Sequence, residues 1–463
     1  MNVVIGAGVG GLAAAISLVR AGQPALIIEG REQVGGLAGG IELEGSIHDG
    51  GPYILLDRPG LEWVFERLGA DLGSLVDLIR LDDEVYRVTT TGGESVSIYG
   101  DMNRTADELE TCWAGSGAAY RDWIGRMSGI YDNLVDLQRD PKPGPWKLLK
   151  KGRLKEGIFL LQGLQTHLER SGLPKPVQNA LGIWTHIAGQ PLSEAPAPLA
   201  FVPAIIHSHG AFVARGGMNR IVAALHELAI AVGVEFRLGE KVDHIVRDGR
   251  RVLGVEIGSE RISADRVFSN APGIGTYVDL LQPPDAGLSN ALRALPLQSP
   301  GVAAYLDMEA DSTVPFLQFW LPESGPRDWT RVLVNPGAYD PGRVGQGRLV
   351  SPTPHTWATD VGPAGQRDFL EFILAESWWR KGVFRHRVLQ TRIPQEWGRQ
   401  YHLYRESMNP VMTAKFMRQG RIAHQSPVAD NLHLVGSATH PGQWVSFCSI
   451  SGILAVEEAL NPG

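Results

Sequence analysis

Apolar and polar positions along this chain follow two periods, and each change of period marks an element. Residues 2–5 (Asn-Val-Val-Ile) are a short apolar run ending on glycine, the pattern of a buried parallel strand. Residues 9–20 place apolar side chains at helical spacing and stop at Arg20-Ala21-Gly22. Residues 25–29 (Ala-Leu-Ile-Ile-Glu) are a second apolar run closed by an acid. The opening therefore predicts a βαβ unit. Gly6, Gly8 and Gly11 stand between its first strand and its helix in G-x-G-x-x-G spacing. Gly6 allows the tight turn, Gly8 lets backbone approach a pyrophosphate, and Gly11 lets the helix lie close to the strand. The free N–H groups at the helix start favour phosphate charge. Glu29 follows Gly11 by 18 residues, where a carboxylate can accept the hydroxyls of an adenosine ribose. Strand, glycines, helix and acid together predict a dinucleotide site.

Further along, residues 66–140 carry mixed helix signals, including Gly60–Leu68 and Thr105–Gln138 with polar and apolar faces. Asn219–Val232 reads as a helix and Val234–Leu238 as a strand. Lys241–Arg247 and Arg251–Ile257 flank Asp248-Gly249-Arg250 and predict a hairpin. Arg266–Ser269 is another strand, and residues 286–425 alternate as antiparallel strands do, with a helix over Gln366–Val383. Leu432–Val435 reads as a strand and Ser446–Leu460 as a closing helix. The dinucleotide-like pattern is thus discontinuous. It predicts one domain from residues 1–65, 211–285 and 426–463, and a substrate domain from 66–210 and 286–425. Substrate would meet cofactor where the two adjoin.

Composition narrows the class. The 463 residues are 43% hydrophobic, enough for a large core, and 56 Gly with 30 Pro suit many tight turns. Net charge is −7, which argues against a nucleic-acid partner. Cys112 and Cys448 are the only cysteines, so a disulfide framework is excluded and a metal site is not expected. No signal peptide and no membrane-spanning run is read, which leads to a cytoplasmic expectation. Residues 141–165 change character: Pro141, Pro143 and Pro145 break the chain, and Lys142–Lys155 carries six Lys or Arg before an apolar stretch. This segment reads as a lid or, through 142–164, as a peripheral membrane contact.

A second glycine cluster, Gly35-Gly36-Leu37, and a third, Asp49-Gly50-Gly51-Pro52, supply surface free of side chains beside an extended cofactor. With Glu29-Gly30-Arg31, these clusters resemble the FAD-binding signature of the amine oxidase and phytoene desaturase superfamily. Ala214–Leu225, with its Gly216-Gly217-Met218, is similar to a middle segment of that superfamily. So is Asn431–Gly442 to the ending of carotenoid desaturases. The resemblance implies an α/β fold, with a discontinuous Rossmann-like FAD-binding domain of the glutathione reductase and p-hydroxybenzoate hydroxylase kind. It also implies an α+β substrate domain on an antiparallel sheet. It implies that Gly6, Gly8, Gly11 and Glu29 hold the ADP half of FAD, and that Arg31, Gly35, Gly36 and Leu37 line its path. Gly51 and Pro52 would lie near the isoalloxazine, Val242 at the adenine, Gly436 at the pyrophosphate and ribityl region, and Val445 and Ser446 at the pyrimidine edge. Gln443-Trp444 and Ser446-Phe447 stand where the desaturase pattern has Gly-Gly and Pro-Gly, which reshapes the pocket.

Flavin chemistry asks the protein for orientation, a dry pocket and sometimes a base. His440, in the C-terminal block, is the candidate for proton transfer. Trp444, His355 and Trp320 are candidates for the substrate wall. His207-Ser208-His209 reads as part of an ordinary strand or loop. The leading expectation is an FAD-dependent oxidoreductase taking hydride to flavin N5 from a hydrophobic, conjugated, isoprenoid or polyene-like substrate. A flavin amine oxidase, a non-redox flavin isomerase or cyclase, and a binding protein without flavin remain as alternatives. The intact Gly6–Glu29 fingerprint argues against the last.

Overall fold

The computed structural model describes residues 1–188, 190–322 and 328–461. Its first layer is a five-stranded sheet in which Asn2–Ile5 is central. Ala25–Glu29 and then Glu235–Leu238 lie on one side, and Arg266–Ser269 and then Leu432–Leu434 on the other. All four pairings are parallel. The chain leaves the central strand toward Ala25–Glu29 and fills the opposite side much later. The carboxyl ends of Asn2–Ile5 and Arg266–Ser269 therefore flank a switch point, where open α/β sheets bind ligands.

Helices Val9–Arg20 and Val445–Leu460 pack together beside this sheet, both buried along most of their length. Their closeness depends on glycine: a Cβ on Gly452 would overlap the Gly10 carbonyl, and one on Gly10 would press on the Cys448 carbonyl. A small sheet joins Glu260–Ser263, Arg251–Ile257, His244–Asp248 and Leu281–Gln282. The hairpin expected across Asp248-Gly249-Arg250 is present.

The third layer is a seven-stranded sheet. Residues 302–310, 317–321, 331–334, 346–351 and 383–392 pair antiparallel, as the alternation predicts. Two further strands, Glu84–Thr90 and Ser95–Tyr99, extend it. They come from a stretch whose sequence shows mixed helix signals and no predicted strand. Glu84–Thr90 pairs with Leu317–Leu321 in parallel, so the sheet is mixed. The helix expected over Gln366–Val383 instead runs His355–Ala375, with a non-helical Gly362 before Pro363, and Val383 opens a strand. His207 lies in the last turn of the Phe201–Ser208 helix and His209 caps it, so these two lie on neither a strand nor a plain loop. Among the described residues no helix is long and apolar enough to cross a membrane.

Candidate functional site

A cavity of about 740 Å³ opens at the switch point and extends between the parallel sheet and the seven-stranded sheet. Four of its wall segments directly follow a strand of the parallel sheet. Gly6 and Gly8 follow the first, Gly30 and Arg31 the second, Asn270 and Ala271 the fourth, and Ser437 the last. The pleat of each strand ends there, so backbone N–H groups and turn side chains converge on one crevice. Gly6 adopts φ +91°, which a side chain resists. A Cβ on Gly8 would stand 2.5 Å from the Asn270 amide nitrogen.

Glu29 organises this end. Its Oε2 accepts from the Ala7 N–H at 2.8 Å and its Oε1 from the Arg31 N–H at 2.9 Å. Arg31, Lys241 and His402 gather beside it. A Cβ on Gly30 would lie 2.8 Å from His402 Nε2 and 3.4 Å from the Lys241 Cβ. The Arg31 guanidinium covers the Tyr401 ring at 4.3 Å. Burial, followed by Lys241, pushes the His402 ring below its usual range, so it is neutral at neutral pH.

Gly35, Gly36, Leu37 and Ala38 continue the wall, and the Gly35 N–H bonds the Ala7 carbonyl at 2.7 Å. Next comes the arch from Gly50 to Pro52. Arg348 holds it, donating to the Asp49 carbonyl at 2.6 Å and the Gly51 carbonyl at 2.8 Å. Cβ atoms on Gly50 or Gly51 would press on the Gly39 and Leu37 carbonyls, so only glycine lets the two segments nest. Opposite, the Val445–Leu460 helix begins with Val445 and Ser446 in the cavity wall. The Asp57 carboxyl is buried beside Ser446, and its Oδ1 caps the Arg58–Arg67 helix through the Gly60 N–H at 3.0 Å. Burial raises its pKa, opposed by the Ser446 hydroxyl and the Gly60 N–H. The far wall is apolar: Leu55, Leu56, Trp184, Leu199, Val202 and Trp444.

The structure brings most of the predicted positions together. Gly6, Gly8, Glu29, Arg31, Gly35, Gly36, Leu37, Gly51, Pro52, Val242, Val445 and Ser446 all line this cavity. Gly11 packs against the Gly6 turn, as expected of the third glycine. Gly436 stands one layer behind the wall, where its N–H donates to Ser451 Oγ at 3.0 Å and a Cβ would overlap the Asn270 amide oxygen.

Three expectations are corrected. His440 does not line the cavity: its Nε2 bonds the Leu137 carbonyl at 2.9 Å, and burial pushes its pKa down to about 4. It is a neutral strut between segments. Trp320 lies outside the wall as well. Leu317 and Phe319 point into the core on the cavity side, and the two-residue period turns Gln318 and Trp320 to the other face, where Trp320 stacks on Trp378. His355 begins a helix and bonds the Arg405 carbonyl at 2.7 Å, also off the cavity. Trp444 alone of the three wall candidates is in place, stacked on Phe447 at 4.8 Å.

Sequence reasoning passed over Asn270, Asp57, Arg348 and Tyr401, all of which line the cavity. Only Asn270 carried a signal, as the residue directly after the predicted Arg266–Ser269 strand. Cys448 also lines the wall, but burial pushes its thiol up to about 12, so it is not a nucleophile at neutral pH.

A parallel sheet with a glycine crevice at its switch point, an acid closing the second strand and a long apolar extension defines a dinucleotide-binding oxidoreductase. The flavin containing amine oxidoreductase model matches residues 9–460, and the chain belongs to that family. It is 26% identical to a 4,4'-diapolycopene oxygenase of Methylomonas, over 98% of this chain and 96% of that protein. It is 25% identical to a zeta-carotene-forming phytoene desaturase of Myxococcus xanthus, over 99% and 93%. Its fold matches the crystal structure of an oxidoreductase from Methanosarcina mazei with a TM-score of 0.67 at 17% identity, over 98% and 99% of the two chains. The chain is therefore an FAD-dependent oxidoreductase. The site fits that cofactor: Gly6, Gly8, Gly35, Gly36, Gly50 and Gly51 leave long stretches of the cavity wall bare of side chains, so backbone can lie against an extended dinucleotide.

Proposed function

We propose that this protein is a phytoene-desaturase-like enzyme that oxidises a long apolar polyene. The observation that carries this reading is the division of the cavity. Charged side chains cluster around Glu29 and Gly30, whereas the wall past Pro52 is built from Leu55, Leu56, Trp184, Leu199, Val202 and Trp444. A small cationic amine would meet no carboxylate in that apolar stretch except buried Asp57, which caps a helix. A polyene, by contrast, buries its whole length there.

In this reading the five-stranded parallel sheet is the cofactor domain and the seven-stranded sheet the substrate domain. Gly6, Gly8, Glu29 and Val242 hold the adenosine diphosphate half. Arg31, Gly35, Gly36 and Leu37 line the path, and Gly51, Pro52, Val445 and Ser446 frame the ring. FAD, when bound, supplies the hydride acceptor. The chain supplies placement. Its Gly50–Pro52 arch, fixed by Arg348, presents a face poor in side chains against which flat groups stack. The start of the Val445–Leu460 helix directs N–H groups and a positive dipole end toward negative charge developing there. The apolar wall excludes water, which strengthens that interaction.

Anaerobic mixing of the purified holoprotein with detergent-dispersed phytoene, 4,4'-diaponeurosporene or putrescine tests the reading by visible absorbance. Bleaching of the flavin band by a polyene and not by putrescine is expected. Bleaching by putrescine alone would overturn it. Product mass after a parallel incubation in air then separates loss of hydrogen from gain of oxygen, the two outcomes named among the relatives.

A further inference from the structure

Large apolar side chains are exposed along one short stretch of this molecule. Trp146, Leu149, Leu154, Ile158 and Leu161 are 67%, 53%, 59%, 51% and 62% exposed. They lie on two short helices, Pro145–Lys150 and Leu154–Leu161, joined at Gly152 with φ +68°. Leu154, Ile158 and Leu161 are spaced as one helical stripe, and so are Trp146 and Leu149. The second helix is also anchored from beneath. Phe159 is buried and stacks on Phe201 at 5.2 Å, and Leu148 and Leu160 pack on the same core. The hairpin is thus apolar on both sides, with its outward stripe uncovered. A patch of this kind on a folded chain marks an interaction surface.

Charge selects the partner. Residues 136–161 hold seven Lys or Arg against three acids, on a chain whose net charge is −7. Asp140 pairs with Lys147, and Asp136 with Lys151 and Arg153. These pairs fix the hairpin while leaving the surface cationic. Lys150 and Lys155 flank the apolar stripe. Apolar side chains set among cations match the boundary of an anionic bilayer, where acyl chains accept the first and headgroups the second.

We propose that the 145–161 hairpin docks this protein on an anionic phospholipid bilayer. The hairpin lies over the apolar end of the cavity. Beneath Phe159 runs the segment that carries Phe201, and its Leu199 and Val202 are part of the cavity wall. Docking brings that wall next to the acyl region, so a lipid-dissolved substrate reaches the site without crossing water. This last step rests on the polyene reading above, whereas the docking itself does not.

Flotation of the holoprotein with vesicles tests the proposal, using phosphatidylcholine alone and phosphatidylcholine with an equal part of phosphatidylglycerol. Binding to the anionic vesicles is expected, weakened at least tenfold by high salt or by Lys150→Glu with Lys155→Glu. Leu154→Glu with Ile158→Glu should abolish it while leaving the melting temperature unchanged, because both side chains already face water. Trp146→Phe should remove the quenching of protein fluorescence by brominated acyl chains. Absence of flotation, or equal flotation with both vesicles, would overturn the proposal. So would an oligomer that the Leu154 and Ile158 substitutions dissociate, since the stripe would then cover a second copy of this chain. Flotation with no bleaching by any polyene would leave the docking surface standing and sink the substrate reading instead.

Discussion

Glu29 and Ala7 are joined across the mouth of the glycine turn, the Glu29 carboxylate accepting the Ala7 N–H at 2.8 Å. The same carboxylate takes the Arg31 N–H with its other oxygen. The acid proposed to take the ribose therefore also holds the turn proposed to take the pyrophosphate. Hydrogen bonds to a charged group contribute about 1.5–3 kcal/mol each. Glu29→Ala should weaken FAD binding by at least that amount and should also destabilise the FAD-free protein. Urea unfolding of the apoprotein checks the second effect. An apoprotein as stable as the parent would mean that the carboxylate serves the cofactor alone.

Gly452 and Gly10 meet where the first and last helices cross, and no Cβ fits between them. Gly452→Ala must push the helices apart. Overpacking a filled core costs about 1–3 kcal/mol. Because Gly10 lines the cavity at the start of the first helix, the displacement should also weaken FAD binding, although Gly452 does not line the cavity. Melting temperature and flavin titration measure the two effects. A variant that melts lower but binds FAD normally would show that the strain is absorbed elsewhere.

Arg343 and Asp49 form an ion pair at 2.8 Å with side chains 6% and 8% exposed. Asp49 also accepts the Met218 N–H at 2.7 Å, so one carboxylate ties three distant segments together. Removing the cation leaves a buried charge without compensation, at a cost of about 3–5 kcal/mol. Arg343→Met should therefore lower stability to chemical denaturant by that amount, and Asp49→Asn with Arg343→Met should recover part of it. A loss well under 1 kcal/mol in the single variant would mean that water reaches Asp49.

The buried Asp57 carboxyl yields a pH prediction. Burial raises its folded pKa above the ordinary carboxylate value. A raised folded pKa means that the folded state favours the proton. The resulting stability is present in full below the unfolded pKa and is lost as pH rises through the folded value. At neutral pH the ionised group is a liability. Asparagine can keep the helix cap without the charge. Asp57→Asn should therefore be more stable than the parent at pH 7, with the advantage vanishing below pH 4. A less stable variant at pH 7 would show that the nearby start of the Val445–Leu460 helix stabilises the anion more than burial penalises it.

Legibility followed the range of the interactions involved. The strand–glycine–helix–strand–acid order is local, and all of its elements stand where their patterns put them. The strands Glu84–Thr90 and Ser95–Tyr99 were not legible. Their helical neighbours dominate the local pattern, and their partner strand, Leu317–Leu321, lies more than two hundred residues away. Trp320 and His355 failed as wall residues for a related reason. Residue type suggests what a side chain can line, but sheet face and helix phase decide where it points.

By itself, the sequence determined the glycine crevice, because glycines, turns and strand ends act within a few tens of residues and backbone geometry leaves them one arrangement. It also determined the basic, apolar character of residues 142–164. Tertiary structure alone decided that His440 is a strut, that Asp57 is buried beside Ser446, and that the 145–161 hairpin turns a stripe of apolar side chains outward. Each of these depends on which surfaces meet after distant segments pack. That outcome is set by burial and shape over the whole chain, and no local pattern encodes it.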